Sequence, residues 1–84
     1  MNNRILAEIE AERIYQDEKW GGPEHDDQHE PNDWIAFITC WNGKAFNCCE
    51  KHPIDSRTFR FNMVKVAALA VAAMESVDRK EERR

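Results

Sequence analysis

Three apolar stripes at helical spacing, two breaker segments between them, and a last segment that is apolar on two sides together predict an all-α protein. The expected architecture is a three-helix bundle completed by homo-oligomerisation. Residues 1–84 form a single helical domain, with helices at about 3–19, 33–46 and 56–80 and an acidic, histidine-bearing connector at 21–33. A chain this short buries only about 60% of its unfolded surface, so an extra source of stability is expected.

In the first segment Ile5, Leu6, Ile9 and Trp20 fall on one side of a 3.6-residue period. Asn2 or Asn3 can cap its start, and Gly21-Gly22-Pro23 stops it. Arg13 and Gln16 lie on the same apolar side with Glu12 at its edge, and a buried guanidinium or amide needs a partner. Either they bind something there, or the stripe is shallow and they reach water along their stems. Ile14 and Tyr15 lie off the stripe.

Asn32 or Asp33, just after Pro31, is the expected cap of the second helix. Trp34, Phe37, Ile38, Trp41 and Ala45 repeat at i, i+3, i+4 and i+7, an aromatic-rich stripe read as core packing. Asn42-Gly43 is expected to end or kink this helix, with a connector from about Phe46 to Pro53. The third helix, capped by Ser56, carries one stripe of Phe59, Met63, Val66, Ala70, Ala73, Met74 and Val77. A second seam of Phe61, Val64, Ala68 and Val71 lies on another side. A helix apolar on two sides is buried on two sides. One short chain cannot cover both, hence the expected homodimer or higher oligomer.

The net charge of −4 is unevenly placed. Residues 1–33 hold ten Asp/Glu against three Lys/Arg, whereas residues 34–84 hold six against nine. The acidic half opposes general nucleic-acid binding, because phosphates are repelled. It suits divalent cations or a basic protein surface, or the two halves attract each other within the fold. No signal peptide or membrane span is expected, and three cysteines do not suit a disulfide framework, so the expected setting is the cytoplasm.

The segment Gly21–Asp33 (GGPEHDDQHEPND) is the densest in chemistry-bearing side chains. His25, Asp26, Asp27 and His29 supply the imidazole and carboxylate atoms of a first-row metal site. The flanking Pro23 and Pro31 favour a loop there, and its acids also serve turns and caps. Cys40, Cys48, Cys49 and His52 have the atoms of a Cys3His zinc site but not its CxxC spacing, and the three cysteines are read as buried or idle thiols. No phosphate-binding glycine loop, nucleophile elbow, HExxH motif or basic-aromatic RNA motif is present.

The stretches ILAEIEAERIYQDEKWG (Ile5–Gly21), DWIAFIT (Asp33–Thr39) and MVKVAALAVAAMESVDRK (Met63–Lys80) cover about half of the chain. In this layout it resembles small helical proteins of phage and prophage genomes that are similar to MazG-type, all-α nucleotide pyrophosphohydrolases. The connector Trp20–His29 also resembles the WGGPxHDDxH segment of a phage variant of that layout. The resemblance implies a magnesium site built from an EExxE motif on one helix and ExxD on the next, where the ion neutralises a triphosphate and positions water. Here the first motif falls at Cys40-Trp41-Asn42-Gly43-Lys44 and the second at Asn62–Lys65, so none of the expected carboxylates is present. A lysine at such a site opposes a cation at short range.

The function expected from this combination is that of a non-catalytic, phage-type binding protein, a pseudoenzyme on a MazG-like scaffold without a cofactor. It would modulate or inhibit a host protein, such as an anti-phage defence protein, in the host cytoplasm, or sequester a nucleotide-like ligand. Glu12, Arg13, Gln16, Lys44 and Lys65 are the candidate ligand- or partner-binding residues. The alternative is a metal-dependent nucleotide pyrophosphohydrolase whose Mg2+ or Mn2+ has moved to His25, Asp26, Asp27 and His29.

Overall fold

The computed structural model describes residues 1–83. Its order is α1 (Asn3–Trp20), α2 (Pro23–Asp26), α3 (Pro31–Cys49) and α4 (Ser56–Glu82), and no strand occurs among the described residues. The all-α expectation holds, but among the described residues four helices replace three. Among the described residues no helix is long and apolar enough to cross a membrane.

Helix α1 starts where Asn2 Oδ1 accepts a hydrogen bond from the Arg4 N–H at 2.7 Å. It stops at Gly21, whose φ of 110° lets its N–H reach the Asp17 carbonyl. Gly22 follows with φ 71°, and the pair turns the chain sharply into α2. A Cβ on Gly21 would meet that of His25 at 3.4 Å, and the backbone there is one L side chains rarely adopt. Gly21→Ala is therefore expected to lower stability by about 1–2 kcal/mol, measurable by thermal denaturation.

The connector 21–33 is not a plain loop. Pro23 sits in the first turn of α2, where its missing N–H costs nothing, and Glu24 and Asp26 favour that end of the helix. Helix α3 also begins earlier than expected, with Glu30 as cap and Pro31 in its first turn. Asp33 is the third helical residue rather than the cap, and its carboxylate accepts the Glu30 N–H at 2.8 Å. Nor do Asn42 and Gly43 end the helix, which runs on to Cys49 because Ala45 and Cys48 beyond them are buried. The cap of α4 is Asp55, not Ser56; its carboxylate accepts the Thr58 N–H at 3.1 Å, and this bond holds the group below the usual carboxylate range.

Helix α4 is the spine. Helices α3, α1 and α2 each pack on it, in that order of intimacy, within a body of 50 × 28 × 23 Å. Its buried line is Asn62, Ala68, Ala72 and Ser76, small side chains that let α1, α2 and α3 approach closely. Of the two expected apolar sides, the first stripe is half-buried at Met63, Val66, Ala70 and Ala73 and exposed at Phe59, Met74 and Val77, while the second seam buries Ala68 and exposes Phe61. The buried apolar set is Trp34, Ala45, Cys48, Ala68 and Ala72. No residue of α1 is buried, which makes its apolar stripe shallow.

Candidate functional site

The space between α1 and α3 is a cavity of about 340 Å³. Trp20 from the end of α1, His25 and His29 from the α2 segment, and Trp34, Phe37, Cys40 and Trp41 from α3 form its walls; Leu69 and Ala72 of α4 also line it. Arg13, Gln16 and Asp26 supply its polar part. The stripe read as core packing is therefore divided: Trp34 is buried, whereas Phe37 and Trp41 also face the cavity.

The rings are mutually fixed. Trp20 stacks with His25 at 6.2 Å between centroids, and His25 meets His29 edge-on at 4.9 Å. His29 in turn packs edge-on against Trp34 at 5.4 Å and Phe37 at 5.1 Å. Offset and edge-to-face contacts of this kind are the favoured aromatic arrangements.

Four of the five candidate ligand- or partner-binding residues lie in one polar network. Lys65 Nζ donates to Glu12 Oε2 at 2.7 Å, with each side chain 12% exposed. Gln16 Nε2 donates to the same oxygen at 3.3 Å, and Arg13 Nη1 donates to Gln16 Oε1 at 3.1 Å. Arg13 Nη2 further faces Asp17 at 3.1 Å, Glu75 at 3.4 Å and Asp26 at 3.5 Å. The guanidinium is thus surrounded by carboxylates, and the partners its position demanded are internal. Burial pushes the Asp26 carboxyl upward, with Arg13 opposing that rise. Lys44 stands apart from the network and does not line the cavity; its ammonium lies 3.9 Å from the ring centroid of Trp41, which does. Lys65 approaches the same ring from α4 at 5.5 Å, and also lies near Tyr15 and Phe61.

The four residues predicted to form a metal site do not converge. No group of three or more His, Cys, Asp or Glu side chains among the described residues is arranged to hold a metal ion. Asp27 is turned away toward α4, where Arg79 Nη2 and Arg83 Nη2 each donate to it at 2.8 Å and Ser76 Oγ at 2.8 Å. Asp26 faces Arg13. Only His25 and His29 remain together, their Nε2 atoms 3.3 Å apart. The cysteines are free; Cys48 is buried and donates to the Lys44 carbonyl, while Cys40 and Cys49 are exposed.

The Asp27 cluster fastens the α2 segment to α4, a role missed from the sequence. Its only signal there was the opposite charge of the two halves of the chain. The hydrogen bond from Arg79, aided by Ser76 and Arg83, holds Asp27 well below the ordinary carboxylate range, and the same bond raises Arg79. A depressed folded value means that this contribution is complete at neutral pH. It declines below about pH 5, through the unfolded value near 4 and on toward the folded one. Urea titrations between pH 7 and pH 3 are expected to show a steeper loss of stability for the wild type than for Asp27→Asn.

The fold and cavity define an all-helical protein with an aromatic-walled pocket beside an internal ion-pair network. Comparison with protein-family models, curated proteins and solved structures yields no match.

Proposed function

We propose that the chain is a non-catalytic binding protein on a MazG-like scaffold, and that it sequesters a nucleotide-like ligand with the base held between the aromatic walls of the cavity. One observation carries this reading: the Lys65 ammonium already occupies the Glu12 carboxylate at 2.7 Å. Where the resembling hydrolases gather acids around magnesium, this protein sets a built-in cation beside Trp41. The cavity itself favours a planar, largely uncharged body. Its Arg13 is matched by Asp17, Asp26 and Glu75, which leaves little attraction for a buried phosphate. Lys44, over the Trp41 ring, has no ion-pair partner among the described residues and would be the cation to meet phosphates outside. In a phage setting, which the resemblance suggests, such sequestration would serve takeover or counter-defence.

Tryptophan fluorescence tests this directly. Titration with nucleosides and nucleotides in EDTA is expected to give saturable quenching, and no pyrophosphate should appear when Mg2+ or Mn2+ is added. Metal-dependent pyrophosphate release that disappears in Glu12→Gln would overturn the proposal.

A second observation favours self-association at a separate surface that shares Trp34 with the cavity. Pro31, Ile35, Ile38, Ala70, Ala73, Met74 and Val77 line an apolar groove between α3 and α4, with Ile35 62% and Met74 67% exposed. Exposed apolar surface of this kind suits a second copy of the chain better than water. Light scattering after gel filtration is expected to give a dimer or larger species for the wild type and a smaller one for Met74→Glu.

A further inference from the structure

We propose that His25 and His29 form a two-imidazole seat for a divalent first-row ion that prefers nitrogen, with zinc(II) as the type case, open on its cavity side. The ion differs in class from the hard, oxygen-seeking magnesium of the resembling enzymes. Two nitrogens bound to one tetrahedral zinc at 2.0–2.1 Å lie about 3.3–3.4 Å apart. The Nε2 atoms of His25 and His29 are 3.3 Å apart.

Three features prepare the pair. Stacking on Trp20 fixes the His25 ring, and edge contacts with Trp34 and Phe37 fix that of His29, so little side-chain freedom is lost on binding. His29 Nδ1 lies 3.9 Å from Asp33 Oδ2, beyond direct hydrogen-bond range, so that carboxylate stands close enough to take up the Nδ1 proton through a small movement when an ion occupies Nε2. Asp33 is itself held by the Glu30 N–H. With no third acid, thiol or imidazole completing a set among the described residues, the remaining positions belong to water or to a donor atom of a molecule in the cavity. Direct hydrogen bonding between the two rings satisfies only one nitrogen's donor and the other's lone pair, and it vanishes once an ion takes both lone pairs.

The experiment uses the full chain, freed of metal with EDTA and then desalted, with no nucleotide present. Its failure is therefore separate from a failure of nucleotide binding, which is measured in EDTA. Titration with Co2+ is expected to give a saturable visible spectrum at one ion per chain, and Zn2+ is expected to raise Tm by several degrees, whereas Mg2+ leaves it unchanged. His25→Ala and His29→Ala are each expected to weaken the affinity at least tenfold, and Asp33→Asn roughly tenfold without abolishing binding. Circular dichroism checks that each variant folds, and His25→Gln serves where alanine at either position does not. Absence of one-to-one binding would overturn the proposal. So would a thiolate-to-cobalt charge-transfer band that survives His25→Gln, since it would put the ion on the cysteines.

Discussion

Trp34→Ala is expected to be the most damaging single substitution, with a loss of about 3–5 kcal/mol. Trp34 is 6% exposed and is the largest side chain of the buried apolar set. Its indole supports His29 and Phe37 through edge contacts, lines the cavity, and also backs the outer groove between α3 and α4. A domain of this length commands about 4–12 kcal/mol in total, so the variant should lie near the edge of folding at room temperature. Urea unfolding followed by circular dichroism measures the loss. Trp34→Phe, which keeps a ring there, is expected to retain both the fold and most of the ligand-induced quenching. Equal stability of the alanine variant and the wild type would show that the ring is not a structural wall.

Lys65→Met is expected to cost about 3 kcal/mol, because it removes one partner of a largely buried ion pair. The ammonium and the Glu12 carboxylate are each 12% exposed and sit among Tyr15, Trp41 and Phe61. Removal of one partner leaves a largely desolvated charge, which is worse than removal of both. Glu12→Gln combined with Lys65→Met is therefore expected to recover much of the loss, and the cycle should give an interaction energy above about 1 kcal/mol. Additive losses would mean that the two side chains act independently. The same double variant bears on function: with the built-in cation gone, quenching by a nucleoside should persist if the aromatic walls carry the affinity.

Much of the helical architecture was legible because long periodic segments with cap residues leave few alternatives. Asn2 and the Gly21-Gly22 stop mark the ends of α1 directly. The extension of α3 was hidden because Asn42-Gly43 reads as a breaker. A glycine inside a helix costs only about 1 kcal/mol, which burial of Ala45 and Cys48 outweighs. The buried face of α4 was hidden for a different reason: a stripe is recognised by its large residues, but here Ala68, Ala72 and Ser76 make the contact. The need of Arg13 and Gln16 for partners was visible, although their identities were not. Glu12–Lys65 and Asp27–Arg79 join residues more than fifty positions apart, and only the charge asymmetry of the two halves hinted at such pairing.

The arrangement in which α1 and α3 lean on α4 rather than on one another has a mechanical consequence. It works like a book whose covers share only a binding: α1, with no buried residue, is the light cover, and α3 the heavy one. Amides of α1 should exchange their hydrogens well before those facing the seam of α3 and α4. A ligand of the proposed kind would thus enter by lifting one leaf, at a cost far below that of unfolding the whole.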